Sequence, residues 1–231
     1  MTTTARDRAR AALTEEILTA ARAQLAEVGA AALSLRAVAR ELGMASSAVY
    51  RYFASRDDLL TRLIVNSYDD AGAAAEAADD PGSPARSRWV AVCLAVRGWA
   101  LAHPHEYALL YGTPVPGYAA PTDTVPAAAR VGVVLGRIVG DAARTGQLPD
   151  SARRRTGTMG AEVLAVVGGE HPALDDEVLT RLLLAWSALY GAISFELFGH
   201  FGDSVTDVDR FAADAADALA TLVGLPGGTG A

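Results

Sequence analysis

One glycine between two short helical stretches constrains this chain more than any other feature. Residues 34–60 read SLRAVARELGMASSAVYRYFASRDDLL, and before Gly43 the apolar residues recur at helical spacing. Gly43 comes directly after the last of them, where a left-handed C-cap costs glycine nothing. A second helix is expected to begin at Ala45 or Ser46, which leaves a turn of about three residues. The spacing therefore predicts a helix-turn-helix over about residues 34–53.

The second helix of this motif has two distinct faces. Val49 and Phe53 are expected to face inward. Ala39 is small enough to let the second helix cross the first one closely, and Val49 lies where an apolar side chain would pack between them. The outward face then presents small residues, one arginine and two phenols: Ser46, Ser47, Ala48, Tyr50, Arg51 and Tyr52. Small residues allow close approach to a major groove, tyrosines can bond to phosphates, and arginine can pair with guanine.

A third helix is predicted directly after the motif, where Ser55 and Asp58 form an S-x-x-D cap ahead of an apolar run. The run AVYRYF at 48–53, followed by SRDDLL at 55–60, resembles the end of the DNA-binding domain of the TetR family. This resemblance implies base-facing roles for Arg36, Ser47, Ala48 and Arg51. It also implies backbone-facing roles for Thr14, Ser34, Tyr50, Tyr52 and Arg56.

The composition and the charge distribution predict two domains of an all-α protein. No strand-like alternation persists in a chain that is 51% hydrophobic. Residues 1–62 carry nine arginines and seven acidic residues, whereas residues 63–231 carry eleven and twenty. A basic end on an acidic body would orient the protein toward DNA. We expect an N-terminal three-helix DNA-binding domain at 1–62 and a larger helical ligand-binding and dimerisation domain at 63–231, with about nine or ten helices.

The boundaries of the remaining elements follow from caps and breakers. Residues 1–12 are expected to form a flexible arm, whose Arg6, Arg8 and Arg10 either belong to a disordered tail or contact phosphate or the minor groove. Thr14 is expected to cap the first helix, and Gly29 to end it. Further helices are predicted over about 85–102, 106–111, 126–145, 150–167, 175–200 and 207–223, with a proline-rich loop over 113–126.

The helix over 175–200 is apolar around nearly its whole circumference and must therefore be covered on all sides. A symmetric dimer would cover it, through a four-helix bundle formed with the helix near 153–167. This arrangement matches the resemblance, since TetR-like proteins dimerise through their two main C-terminal helices. The alternative is a central helix that its own chain covers completely.

A small-molecule pocket is also implied by the resemblance, because TetR-like regulators keep an apolar, largely aromatic pocket in the C-terminal domain. The candidate residues are Trp89, Cys93, Trp99, His103, Tyr107, Tyr111, Met159, Trp186 and Tyr190. Each of them is alternatively a plain core residue. Trp186, Tyr190 and Gly191 also resemble a tryptophan-glycine motif of some C-terminal domains in the family, although a histidine often stands where this chain has Tyr190.

No motif of an enzyme, a metal site or a cofactor site is present in the sequence. The lone Cys93 is expected to be a buried small hydrophobe rather than a redox sensor. No secretory h-region occurs, and the longest strongly apolar run, residues 182–195, is shorter than a membrane span. We therefore expect a cytoplasmic protein without a catalytic site, metal, cofactor or membrane partner.

These expectations combine into one function and one alternative. The function is a ligand-responsive transcriptional repressor that binds a palindromic double-stranded operator as a homodimer and is released by a small apolar or aromatic effector. The alternative is a small-molecule-binding helical protein whose DNA-binding domain is vestigial.

Overall fold

The computed structural model describes residues 4–148, 174 and 176–227. These residues form nine α-helices and no strand: α1 Ala5–Ala32, α2 Leu35–Glu41, α3 Ser46–Val49, α4 Arg56–Ala78, α5 Ala85–Ala102, α6 Pro104–Tyr111, α7 Val125–Arg144, α8 Asp176–Leu197 and α9 Val208–Leu222. Short 3₁₀ helices at Thr122–Thr124 and Gly202–Ser204 come before α7 and α9. The all-α prediction is confirmed for the described residues. The helix predicted over 150–167, with Met159, lies outside them.

The chain divides into two compact units. The first contains residues 1–68 and 103–125, and the second contains residues 69–102 and 126–231. Helix α4 thus begins in the first unit and ends in the second. The first unit therefore also contains α6 and the loop that follows it. The predicted DNA-binding domain, residues 1–62, does not include this segment.

The core of the first unit fixes the positions of α1 to α4. Ile17 and Leu18 of α1 are buried against Val38 of α2 and against Leu59 and Leu60 of α4. At apolar transfer energies each such fully buried side chain contributes roughly 1.5–3 kcal/mol. The loop between α1 and α2 is held as well, since the buried Gln24 accepts a hydrogen bond from the Ser34 amide at 3.2 Å. This core is the rigid support of the helix-turn-helix.

Helix α1 begins ten residues earlier than the sequence predicted. Thr4 is the N-cap: its hydroxyl accepts a bond from the Asp7 amide, and the Asp7 carboxylate accepts one from the Thr4 amide. The pKa of Asp7 is lowered because its carboxylate accepts hydrogen bonds from the Thr4 hydroxyl, at 2.6 Å, and from the Thr4 amide. The predicted cap, Thr14, lies inside the helix, where its hydroxyl donates to the Arg10 carbonyl at 2.9 Å. The flexible arm over 1–12 is therefore wrong for Ala5 onward, whereas Gly29 interrupts the helix with a φ of 75°, as expected.

In the second unit, α5, α8 and α9 pack against one another. Their contact surfaces combine large and small residues, with Trp89 and Val92 of α5, Ile193 of α8 and Ala216 and Ala220 of α9 all buried. The alanines allow the helix axes to approach closely. The predicted bounds of these three helices agree with the structure to within three residues, because an apolar period and a clear breaker mark each end.

A buried carboxylate joins α4, α5 and α7 in the second unit. Asp79 follows α4, and its carboxylate accepts bonds from Arg88 at 2.6 Å and from Arg137 at 2.6 Å, while its side chain is fully buried. Arg88 also donates to Asp141 of α7 at 2.9 Å. Burial by itself raises the pKa of Asp79, but the bonds from Arg88 and Arg137 outweigh it and lower the pKa overall. Asp79 is therefore ionised in the folded protein at neutral pH.

Helix α8 is the most apolar helix of the described residues. An 18-residue stretch of this 22-residue helix has a mean hydropathy of 1.5, so by length and composition alone the helix is able to cross a membrane. The apolar stretch is thus longer than the run over 182–195 that the sequence suggested, although the core helix of a soluble protein has the same length and composition. Only 39% of the apolar stretch is buried, so most of it is open to the contact with a second chain that the sequence predicted.

Candidate nucleic-acid interface

The turn between α2 and α3 has the geometry that the glycine predicted. Gly43 has a φ of +64°, a conformation that side chains bearing a Cβ rarely adopt. Its amide donates to the Arg40 carbonyl at 3.2 Å, and the Met44 amide donates to the Ala39 carbonyl at 2.8 Å. These two bonds are those of a Schellman motif. The motif satisfies the last carbonyls of α2 and reverses the chain into α3.

Helix α3 is short, but its hydrogen bonds continue the helical turn to Phe53. The Tyr50 amide donates to the Ser46 carbonyl at 3.1 Å, and the Phe53 amide donates to the Val49 carbonyl at 3.1 Å. Val49 is fully buried and Phe53 is 6% exposed, so both face the core as predicted. The start of the helix at Ser46 is also as predicted.

The opposite face of α3 is open to solvent. Ser47 and Arg51 are exposed, Tyr50 is 43% exposed, and Ser46, Ala48 and Tyr52 are half-buried. Arg36, on α2, is exposed as well. The structure therefore brings eight of the predicted residues into the motif on α2, the turn and α3. The four exposed ones are Arg36, Ser47, Tyr50 and Arg51.

Two predicted cap residues do different work. Ser34 occupies the N-cap position of α2, but its hydroxyl makes no capping bond there; its amide is the group that bonds, to Gln24. Ser55, by contrast, caps α4 as predicted, since its hydroxyl accepts a bond from the Asp58 amide at 3.0 Å. The Ser34 hydroxyl is thus left available for an outside partner.

Arg56 has a structural role that the sequence did not reveal. Its guanidinium donates to the carbonyls of Leu33, Ala30 and Ala31 at 3.1, 2.8 and 3.0 Å. These carbonyls lie at the end of α1, where a positive charge is favourable. Two of its three nitrogens, Nε and Nη2, are therefore bonded inside the unit, and the phosphate contact of Arg56 stays a prediction.

The structure divides the predicted pocket residues between its two units. His103, Tyr107 and Tyr111 belong to the first unit, and Trp89, Cys93, Trp99, Trp186 and Tyr190 belong to the second. Tyr107 is fully buried, and its ring centroid lies 5.0 Å from that of Tyr111, which in turn lies 6.2 Å from that of Tyr68. Burial raises the pKa of Tyr68. These phenols form a packed aromatic cluster.

In the second unit an apolar cleft with a volume of about 190 Å³ opens between α5, α8 and α9, and it is partly open to solvent. Its walls include Cys93, Ala192, Phe211 and Ala215, and a paired arginine and glutamate close one end. Arg97 donates to both oxygens of Glu196, at 2.7 and 2.6 Å. Of the predicted pocket residues that the structure describes, only Cys93 lines this cleft, while Trp186 lines a separate groove between α7 and α8.

Cys93 fits the expectation of a buried hydrophobe. It is 1% exposed, and burial raises the pKa of its thiol to about 12. A thiol with such a pKa stays protonated near neutral pH and is a poor nucleophile. Among the described residues, no group of three or more histidine, cysteine or acidic side chains is placed to hold a metal ion.

Comparison with known proteins identifies the architecture. The family model "Bacterial regulatory proteins, tetR family" matches residues 17–63, and the model "Tetracyclin repressor-like, C-terminal domain" matches residues 89–219. The chain belongs to the TetR family. Within that family it is 42% identical over 213 residues to the HTH-type transcriptional regulators Rv1816 of Mycobacterium tuberculosis and Mb1846 of Mycobacterium bovis, covering 86% of this chain and 87% of each relative.

Solved structures agree with the TetR assignment. The crystal structure of the regulatory protein SCO4313 matches with a TM-score of 0.72 and 34% identity, over 94% of this chain and 98% of that one. A protein of unknown function from Rhodococcus sp. RHA1 matches with a TM-score of 0.69 and 27% identity, over 92% and 95% of the two chains. The TetR helix-turn-helix of this chain is therefore that of a DNA-binding transcriptional regulator.

Sequence reasoning placed Arg10 in a flexible arm and missed its fixed position beside α3. The guanidinium carbon of Arg10 lies 5.0 Å from the centroid of the Tyr52 ring. The signal that could have located it is the Thr4-x-x-Asp7 pattern, a capping signature that starts α1 before Arg10 and gives this arginine a fixed helical position.

Proposed function

We propose that this TetR-family regulator is a ligand-responsive repressor that binds a palindromic operator as a homodimer. The observation that carries the proposal is the open face of α3. Ser47 and Arg51 are exposed on it, while Val49 directly behind them is fully buried in a rigid core. Two such faces related by a dyad would enter successive major grooves about 34–36 Å apart.

Support for a homodimer comes from a solvent-exposed seam that runs along α8 to the residue that follows it. Leu184, Ala188, Gly191, Phe195 and Phe198 are all exposed and are spaced 4, 3, 4 and 3 residues apart. This is the spacing of a seam between two packed helices. The small residues in its middle permit close approach, and a Cβ added at Gly191 would meet no atom within 4 Å. A second copy of α8 is the partner that we propose for this seam.

The dimer is tested by a charge placed on the seam. Leu184 is 55% exposed, so Leu184→Glu leaves the core of the single chain intact. Light scattering after size-exclusion chromatography should give about twice the chain mass of 23.9 kDa for the wild type and a single chain mass for this variant. Val28→Glu, at another exposed apolar residue, is the matched control and should remain dimeric. A dimeric Leu184→Glu protein would contradict the proposed seam.

For the effector we propose the apolar cleft between α5, α8 and α9. Its walls are apolar, and the paired Arg97 and Glu196 offer a polar group at one end, which is the usual make-up of a small-molecule site. A small apolar or aromatic compound is the expected ligand. Its signal would travel through α4, the helix that carries the chain from the first unit into the second, with a coupling of about 1–3 kcal/mol.

The finer family assignment and the remaining expectations belong to the same proposal. We propose that the C-terminal domain belongs to the tryptophan-glycine subtype. The proposal is supported by the contact between the Trp186 and Tyr190 rings, whose centroids lie 5.1 Å apart beside Gly191. We also propose that the protein works in the cytoplasm without catalysis, a cofactor or a membrane partner. The apolar character of α8 is then explained by dimer contact.

The function is tested by selection from a library of random duplex DNA with the full-length protein. We expect enrichment of one inverted repeat, protected as a single footprint on one face of the duplex. A vestigial DNA-binding domain would enrich nothing. A sequence-indifferent architectural protein would bind every duplex with an affinity that grows with length, and either outcome would overturn the proposal.

A further inference from the structure

A stacked arginine adjoins the DNA-facing helix of the first unit. Arg10 lies on α1, and its guanidinium carbon is 5.0 Å from the centroid of the Tyr52 ring. Tyr52 itself follows α3 in the turn that leads to Phe53. The contact therefore brings a cation from α1 to the edge of the proposed recognition surface.

The position of Arg10 is fixed by the early start of α1. The capping box of Thr4 and Asp7 begins the helix one and a half turns before Arg10, and the Thr14 hydroxyl bonds to the Arg10 carbonyl one turn later. Arg10 thus belongs to a continuous helix that is buried in the core further on, at Ile17 and Leu18. An arginine held in this way loses little freedom on binding a ligand.

The hydrogen-bond donors of Arg10 remain free to bind an anion. A guanidinium that lies over a ring uses its π face, whereas its N–H groups point outward in the plane of the group. Among the residues that the structure describes, no carboxylate forms a salt bridge with Arg10, in contrast to the occupied guanidiniums of Arg88, Arg97 and Arg130. Arg56, at the start of α4, has its Nε and Nη2 bonded to carbonyls of the same unit.

We propose that Arg10 binds a phosphate of the DNA backbone, with the Tyr52 ring as the platform that orients it. The planar fork of a guanidinium matches two oxygens of one phosphate. The neighbouring Tyr52 hydroxyl can bond to the same backbone. The inference rests on the proposal that α3 faces DNA, and it chooses the DNA contact for Arg10 over the disordered tail and assigns the Tyr52 ring as its support.

The salt dependence of binding tests this role. The full-length protein is titrated with a mixed-sequence duplex, and with the operator recovered by selection, at several salt concentrations between about 50 and 200 mM. Each phosphate contact contributes about 0.9 to the slope of log affinity against log salt. For a dimer, Arg10→Ala should therefore weaken binding to both duplexes and make the slope shallower by about two.

Arg8→Ala is the matched control. It removes the same charge from the same helix, but two residues away and so about 200° around the helix axis, and its slope should stay at the wild-type value. Tyr52→Phe retains the ring and should retain the Arg10 contribution. In a Tyr52→Leu background, which lacks the platform, Arg10→Ala should change the slope by much less.

Two results would overturn the inference. The first is an equal salt slope for Arg10→Ala and Arg8→Ala. The second is an Arg10→Ala protein whose thermal midpoint is lowered while its salt slope stays at the wild-type value, because the contact between Arg10 and Tyr52 would then serve stability alone. A wild-type protein that binds no DNA at all is a different outcome. That result would contradict the proposed function itself, and it would be seen before any variant is compared.

Discussion

Gly72 is the residue of α4 whose substitution gives the most informative prediction. The Arg130 side chain of α7 crosses α4 at this glycine and donates to Asp69 on one side, at 2.7 Å, and to Glu76 on the other, at 2.9 and 2.7 Å. A Cβ added at Gly72 would lie 2.7 Å from the Arg130 Cβ and 2.8 Å from its Nε. Gly72→Ala must therefore displace the arginine.

The sign of this substitution depends on two opposed effects. Alanine is favoured over glycine in a helix interior by about 1 kcal/mol. Overpacking costs about 1–3 kcal/mol, and loss of the two partly exposed ion pairs costs about 0–1 kcal/mol each. The costs exceed the gain, because the contact involves the Arg130 Cβ, which cannot rotate away. We expect a net loss of about 2 kcal/mol, or about 4–8 °C in the thermal midpoint.

The Arg130→Gly background reverses the prediction. Without the Arg130 Cβ and Nε the obstruction disappears, so Gly72→Ala should stabilise that protein by about 1 kcal/mol. Thermal unfolding of the four proteins is compared at a single protein concentration, since dimerisation makes the midpoint concentration-dependent. If Gly72→Ala raises the midpoint of the wild-type protein as well, the clash does not operate and the reasoning is refuted.

Three further predictions concern single charged residues. Asp79→Asn should cost about 3 kcal/mol at neutral pH, since it leaves the buried Arg88 short of a partner. Because the folded pKa of Asp79 is lowered, this difference in the free energy of unfolding is fully present above about pH 3.9. It should vanish as the pH falls through the folded pKa. Acid-unfolding curves that differ by a constant amount at every pH would contradict the prediction. Arg51→Ala should relax specificity at one base pair per half-site, costing about 1–3 kcal/mol there, and unchanged mismatch penalties would exclude Arg51 as a base reader. Arg56→Ala should lower stability by about 1–3 kcal/mol at an unaltered salt slope for DNA binding, with the exposed Arg62→Ala as the stability control; a shallower slope for Arg56→Ala would instead support its predicted phosphate contact.

The helix-turn-helix was predictable because every signal for it is local. Gly43 requires a left-handed turn, Ser55 caps α4, and Val49 and Phe53 carry the inward face. The early start of α1 was missed because its first turns, rich in alanine and arginine, have almost no apolar period. Only the short cap at Thr4 marks that start.

The role of Arg56 and the apolar cleft were not predictable from local patterns. The carbonyls that bind Arg56 lie 23 to 26 residues earlier in the chain and are brought to it only by tertiary packing. The cleft forms where small residues of two helices, such as Ala192 and Ala215, leave space between larger neighbours. The aromatic residues Trp89 and Tyr107, expected to line a pocket, are fully buried instead.

The claim on which the account depends is that the exposed face of α3 lies in the major groove. Interference by methylation of guanine N7 tests it most directly, since that atom lies on the major-groove floor. The selected operator should show two clusters of interfering guanines about one helical turn apart, and one guanine of each cluster should lose its effect in Arg51→Ala. Binding that is insensitive to N7 methylation throughout the operator would contradict the claim.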